Sequence, residues 1–335
     1  MKISIVTLNG YKNYGNRLQL FALSKVLKRM NNEIDVFWPR SLKEKLKIFI
    51  KCYTPLLPHT LKEKKLKAFT KKYISCSITK RQNNASIVGS DQVWNPRYIE
   101  ERPYLLMPGS RGLISYAASM GVSTLDSQQE EMFRKMLKGF KAISVREQSA
   151  KDILQPLTDK EIEVVLDPTL LLDKAEYEKL EKKPESLKKD DKYILCYILG
   201  NHEQQAAIEK FANERNLKVI LFSDKRDSDY GVEEFLYLIH HSELVCTDSF
   251  HACVFSFIFE RPFVAFKRTG VSNYMYTRLQ NLINTFRLSN REYNGHEITE
   301  GNLLADYTEA KKILRKEQSK SLMFLKSALE VKDEK

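Results

Sequence analysis

Short apolar runs alternate along this chain with segments whose apolar residues recur at helical spacing. KISIVT, EIDVFW, ASIVGS, LISYAAS, AISVR and EVVLD read as strands in the first half, and YILCYIL, KVILFS, ELVCT and PFVAF in the second. Helical patterns lie between several of them, from about Asn16 to Met30, Gln128 to Phe140, Glu147 to Gln155, Glu203 to Glu214, Val232 to His241 and Ser249 to Phe259. This alternation predicts parallel sheets covered by helices on both faces. KAEYEKLEKKPESLKKDDK, from Lys174 to Lys192, is polar and poor in apolar residues, and predicts a linker. The expected organisation is an N-terminal doubly wound domain over 1–175 and a second one over 190–300. A C-terminal helix and charged tail follow over 301–335, from a helical pattern spanning about Leu303 to Val331.

Composition fits this picture. With 335 residues, 42% hydrophobic and 29% charged, the chain suits two globular domains. MKISIVTLNG reads as a strand and turn, not as a secretory leader. Runs such as ACVFSFIF are far too short to span a bilayer. Five cysteines without an export signal suggest free thiols in a reducing cytosol. Cys246 and Cys253 flank His251, but no CxxC pair accompanies them, so no metal is expected.

The net charge of +12 is concentrated. Between Ser41 and Gln82 twelve lysines or arginines face two acids, Glu44 and Glu63, so this segment carries +10. KEKLKIFIKCY and LKEKKLKAFTKKY read as two basic amphipathic helices, a helical insertion over 41–82 in the first domain. Such helices either lie on an anionic membrane surface or pack an apolar face on the core. No nucleic-acid motif accompanies the charge, and no nucleic-acid partner is expected.

Doubly wound domains bind ligands outside the carboxyl ends of their strands. The residues there form a coherent set. In DSFH, Asp248 or Ser249 suits an N-cap, which puts His251 in the first turn of a helix. Free N–H groups and the helix dipole make that turn a place for a phosphate, although a hydrogen-bonded structural histidine fits as well. Arg146 follows a strand and opens a helix. A guanidinium there suits a carboxylate or phosphate, or else a salt bridge to Glu147. SDQVWNP puts Asp91 and Trp94 after another strand. Asp91 is placed to orient or deprotonate a hydroxyl and Trp94 to face a sugar ring, or the pair is a turn with a core tryptophan. GYKNYGN, with Asn13, Tyr14 and Asn16, lacks both the P-loop and the dinucleotide fingerprint. It reads as a shaped turn facing a sugar acceptor.

NYGNRLQLFAL, VGSDQVWNP, SYAASMG, ISVRE, VLDPTLLL and TDSFHACVFSFIFERPFV, in this order, resemble the polysaccharide pyruvyl transferase family over roughly residues 2–290. Ala252 departs from the glycine that usually follows the histidine. The resemblance implies an α/β fold of two Rossmann-like domains facing a cleft, similar to GT-B glycosyltransferases. It implies transfer of the enolpyruvyl unit of phosphoenolpyruvate onto two hydroxyls of one sugar, forming a cyclic ketal and releasing phosphate.

On this reading His251 is the general acid, Arg146 the anion clamp, and Asp91 the base or acceptor orienter. Ser249, Asp248, Lys267 and Arg268 contact the donor, and Asn13, Tyr14, Asn16 and Trp94 the acceptor. No cofactor is required beyond phosphoenolpyruvate as co-substrate. The acceptor is expected to be a polyprenyl-diphosphate-linked precursor of a capsule or cell-wall glycan. The enzyme is then cytoplasmic, with 41–82 docking on the inner membrane face. A GT-B transferase using a nucleotide sugar, or an inactive surface-binding protein, are the competing readings. Neither has residues that point to it.

Overall fold

The computed structural model describes residues 1–38, 59–74, 77–79, 85–107, 112–188, 190–201, 203–222, 230–268 and 274–330. The first basic helix expected from the sequence, KEKLKIFIKCY, lies outside them. In chain order the described strands and α-helices are β1 (Lys2–Val6), α1 (Tyr14–Arg29), β2 (Glu33–Phe37), α2 (His59–Phe69), β3 (Ser77–Thr79), β4 (Ala85–Val88), α3 (Pro96–Glu101), β5 (Leu113–Ala118), α4 (Ser127–Leu137), β6 (Phe140–Val145), α5 (Gln148–Leu154) and β7 (Ile162–Val164). Then come α6 (Lys174–Glu178), β8 (Tyr193–Tyr197), α7 (Gln205–Asn213), β9 (Lys218–Leu221), α8 (Val232–His240), β10 (Leu244–Thr247), α9 (Phe250–Ile258), β11 (Phe263–Ala265), α10 (Tyr274–Phe286) and α11 (Thr308–Glu330).

The chain forms two compact units. The first holds the described residues of Met1–Ile50, Thr70–Leu172 and Arg315–Lys335, and the second those of Lys51–Phe69 and Asp173–Leu314. In the first unit seven parallel strands lie in the order β3-β2-β1-β4-β5-β6-β7. The chain builds outward from β1 in one direction and then, from β4, in the other. The topological switch therefore falls between β1 and β4. In the second unit four parallel strands lie in the order β11-β10-β8-β9, with the switch between β8 and β10.

The strands are apolar because both sheet faces are covered. Residues 3–6 of β1 and all of β5 are buried. One core of the first unit packs Trp94, Phe133, Phe140, Ile143 and Leu154. That of the second packs Ile194, Ile208, Phe211, Leu244 and Val264. Each such side chain contributes on the order of 1.5–3 kcal/mol by leaving water. Local chemistry starts the helices. Asn13 caps α1 by accepting from Asn16 N–H at 2.9 Å. Asp126 and Gln129 form a reciprocal capping box on α4.

Domain boundaries differ from the sequence expectation in three places. α2, expected within an insertion of the N-terminal domain, belongs to the second unit. There Leu66 and Phe69 are fully buried and Lys65 Nζ donates to Glu234 Oε1 on α8 at 2.9 Å. The expected linker carries α6, whose Tyr177 is fully buried and meets the edge of Phe255 at 4.9 Å between ring centroids. Most of α11 closes back on the first unit. Leu166 N–H donates to Ser321 Oγ at 3.0 Å, and Phe324 lies beside Tyr116. In each case an apolar face finds its cover without regard to sequence distance.

Candidate active site

In the first unit the polar residues collect at the carboxyl ends of β1, β4, β5, β6 and β7. After β4 the chain turns sharply through Gly89, with φ of +137°, and Asp91, with φ of +77°. A Cβ on Gly89 would lie 1.9 Å from the Tyr116 carbonyl oxygen, so the turn admits only glycine. The turn places Asp91 on the switch point. Its Oδ2 accepts from Asn16 Nδ2 at 3.0 Å, and its Oδ1 from Gln92 N–H at 2.8 Å. Thr7 Oγ1 donates to the Ser90 carbonyl at 3.0 Å and accepts from Gln19 Nε2 at 3.1 Å, tying β1 to β4.

Arg146, after β6, is 4% exposed. Its Nη1 donates to Asp167 Oδ2 at 2.8 Å, and its Nε lies 3.6 Å from Glu147 Oε2. Burial alone would lower its pKa; Asp167, Glu147 and Asp91 overcome this, raise it, and hold the guanidinium charged. Glu147 Oε1 accepts from Ser119 Oγ at 2.7 Å and from Met120 N–H at 3.1 Å. Asp167 Oδ1 accepts from Thr169 N–H at 3.0 Å and from its hydroxyl at 2.7 Å. The carboxylates around this guanidinium outnumber it. Arg146 is thus the cation of a buried ion network, the surroundings that the salt-bridge reading of the sequence anticipates.

Two residues expected to contact the acceptor are buried. Trp94 is fully buried, with its ring edge-on to Phe133 and Phe140 at 6.3 and 5.5 Å between centroids. It offers no face to a sugar. Tyr14 is 2% exposed and belongs to the core. Asn13 is exposed but spends its side chain on the α1 cap. Asn16 and Asp91 are brought together as a pair.

In the second unit the candidates converge on the switch between β8 and β10. Ser249 is the N-cap of α9, its Oγ accepting from Ala252 N–H at 3.5 Å, and His251 sits in the first turn. His251 is 8% exposed, and its ring lies edge-to-face with Phe250 at 5.1 Å between centroids. Asp248 is the hub. Its Oδ1 accepts from Leu199 N–H and its Oδ2 from Gly200 N–H, each at 2.8 Å, which clasps the end of β8 to that of β10. Arg268, following β11, donates from Nε to Asp248 Oδ2 and from Nη2 to the Asp248 carbonyl, each at 3.0 Å. Asp248 is therefore the anchor of Arg268 and not a ligand for an anion. The neighbouring Lys267 is exposed.

Sequence reasoning passed over Asp167 as a site residue, although it stands at a strand end, and the Leu199–Gly200 amides, which carry no side-chain signal. It also passed over Glu181, His240 and His241, whose ligand-type atoms all lie within 4.8 Å of one another.

Comparison with known proteins agrees with this architecture. A family model described as Polysaccharide pyruvyl transferase matches residues 13–269. No curated protein sequence matches the chain. Among solved structures, one from Listeria monocytogenes assigned as a UDP-N-acetylglucosamine 2-epimerase is 14% identical; the match covers 99% of this chain and 98% of that one, with a TM-score of 0.50. Anabaena HepE in complex with UDP and glucose is 10% identical over 98% and 99% of the two chains, TM-score 0.47. MurG from Acinetobacter baumannii is 8% identical over 98% of both, TM-score 0.39. The Listeria structure carries the comparison of fold: parallel α/β units of the GT-B type.

Proposed function

The chain belongs to the polysaccharide pyruvyl transferase family, and on that premise we propose that it moves the enolpyruvyl unit of phosphoenolpyruvate onto two hydroxyls of one sugar, releasing phosphate. The observation that carries this reading is the second-unit cluster. A histidine stands in the first turn of a capped helix after β10, and Asp248, three residues before it in the chain, orients an arginine that follows β11. The helix N-terminus and the guanidinium suit the phosphate and carboxylate of the donor.

His251 gives a proton to the methylene carbon of the donor, which becomes the methyl group. The adjacent carbon gains oxocarbenium character and is attacked by a first hydroxyl. The carbon–oxygen bond to phosphate then breaks, and a second hydroxyl closes the ketal. Of the two protons lost by the hydroxyls, one replaces that given by His251 and the other leaves with phosphate. Asp91, held by Asn16, accepts from or orients the acceptor hydroxyl. Arg146 is a positioning residue whose charge balances Asp167 and Glu147. This scheme uses phosphoenolpyruvate as co-substrate and no further cofactor.

The acceptor is a polyprenyl-diphosphate-linked surface-glycan precursor, met at the inner face of the membrane. Among the described residues no helix is long and apolar enough to cross a bilayer. α2 buries Leu66 and Phe69 while exposing Lys64 and Lys67. That arrangement favours attachment to anionic lipid by charge, at about 1 kcal/mol per cation near the surface. Flotation with anionic but not neutral liposomes is expected; equal recovery with both, or with neither, contradicts it.

The donor is tested by thermal shift. Phosphoenolpyruvate is expected to raise Tm where a panel of nucleotide sugars does not. The reverse result favours a nucleotide-sugar glycosyltransferase and overturns the reading.

A further inference from the structure

Apart from the strand-end clusters, the second unit gathers two imidazoles and a carboxylate where α8 ends. We propose that Glu181, His240 and His241 form a binding site for a zinc-type divalent ion. Glu181 presents one oxygen to each ring: Oε1 lies 2.7 Å from His240 Nδ1, and Oε2 lies 3.1 Å from His241 Nε2. Two histidines and a carboxylate are a recurrent zinc ligand set, with bonds of about 2.0–2.2 Å. Tetrahedral geometry at that bond length puts ligand atoms roughly 3.4 Å apart. Here they already lie within 4.8 Å of one another. Side-chain adjustments of about an ångström convert the hydrogen-bonded cluster into a chelate and leave a fourth position for water.

Three further features favour an ion here. Both rings are held in place by stacking, His240 on Phe259 with centroids 4.4 Å apart and His241 on Tyr237 at 4.0 Å. Less conformational freedom is then lost on binding. The other nitrogen of His240, Nε2, lies 3.9 Å from Glu178 Oε1, so an outer carboxylate stands behind that ligand. The cluster also sits at the C-terminal end of α8, where the helix dipole favours positive charge. Arg261 acts on His241 from nearby. Its single charge is opposed by the carboxylates of Glu178 and Glu181.

The ion would tie the stretch after α6 to the end of α8, joining the return of the chain into the second unit to that unit's helical layer. It uses no residue of either strand-end cluster, so its role is structural. The His241 side chain is 41% exposed, which gives the ion a route in from solvent and makes the residue safe to replace.

The test uses the full-length, untagged chain, stripped of metal and titrated with zinc sulfate against a chromogenic chelator, with Tm followed in parallel. Wild type is expected to bind one equivalent with micromolar or tighter Kd and to gain Tm. His241→Ala and Glu181→Gln are each expected to weaken binding at least tenfold and to lose the Tm gain. Absence of zinc binding by wild type overturns the proposal. Undiminished binding in both variants also overturns it, because the ion then sits on other groups.

Discussion

Arg268 Nε stands 3.0 Å from Asp248 Oδ2, and the Asp248 carboxylate also receives the backbone N–H groups of Leu199 and Gly200 at 2.8 Å. A single buried carboxylate thus joins the ends of β8 and β10 and aims the cation that follows β11. Hydrogen bonds to charged groups contribute about 1.5–3 kcal/mol each, so the position of Arg268 depends on this acid. Asp248→Asn preserves shape and one acceptor but loses the charge. The KM for phosphoenolpyruvate is expected to rise tenfold or more, equivalent to about 1.4 kcal/mol. An unchanged KM in steady-state phosphate release counts against the donor site placed here.

Arg146 is expected to act on stability before chemistry. Arg146→Ala leaves Asp167 and Glu147 buried without their cation. Breaking such a pair costs about 3–5 kcal/mol. Urea denaturation should show a large loss of midpoint stability, and the double variant Arg146→Met with Asp167→Leu should recover part of it. A stable Arg146→Ala protein would contradict this structural role and favour the anion-clamp reading of the sequence.

Gly89 and Gly10 separate collision from strain. Both have φ near +140°, but a Cβ at Gly89 meets the Tyr116 carbonyl, whereas nothing lies within 4 Å at Gly10 among the described residues. Gly10→Ala is expected to cost about 1 kcal/mol and still express as folded protein. Gly89→Ala is expected to cost more than about 3 kcal/mol and to disturb the turn that carries Asp91. Circular dichroism melts compare the two directly.

The buried thiols titrate late. Burial pushes the Cys196 thiol up to about 12, and Cys246 and Cys253 well above their ordinary value. At pH 8 these three are expected to resist iodoacetamide in the native protein and to react fully once it is unfolded, read by peptide mass mapping. The sign for stability follows. The unfolded chain ionises near 8.5 while the folded chain keeps its protons, so this contribution is intact below that pH and is lost as pH rises toward 12. Labelling of Cys246 in the native state would contradict its burial.

Much of the fold was readable because its signal is local. Ten of the apolar runs became strands, since parallel strands buried on both faces cannot be polar. β3, of three residues, fell below any periodic signal. α6 was masked by its lysines and glutamates, although the one residue that fixes it, Tyr177, is fully buried. The candidate residues were legible as positions at strand ends, because the alternation of strands and helices fixes which residues fall there. What each residue touches was not. Arg146 and Trp94 were expected to face ligands. The choice between a ligand and a buried partner depends on Asp167 and on Phe133 and Phe140, which come from other parts of the chain.

The central claim is that His251 supplies the proton that starts pyruvyl transfer. The direct measurement is phosphate release from phosphoenolpyruvate in the presence of a pyruvylatable saccharide, comparing wild type with His251→Ala and confirming the ketal by mass. General acid catalysis contributes about 10²–10⁴-fold. The variant is expected to lose turnover by that factor while keeping its Tm and its thermal shift with phosphoenolpyruvate. Near-normal phosphate release by a folded His251→Ala protein would contradict the account.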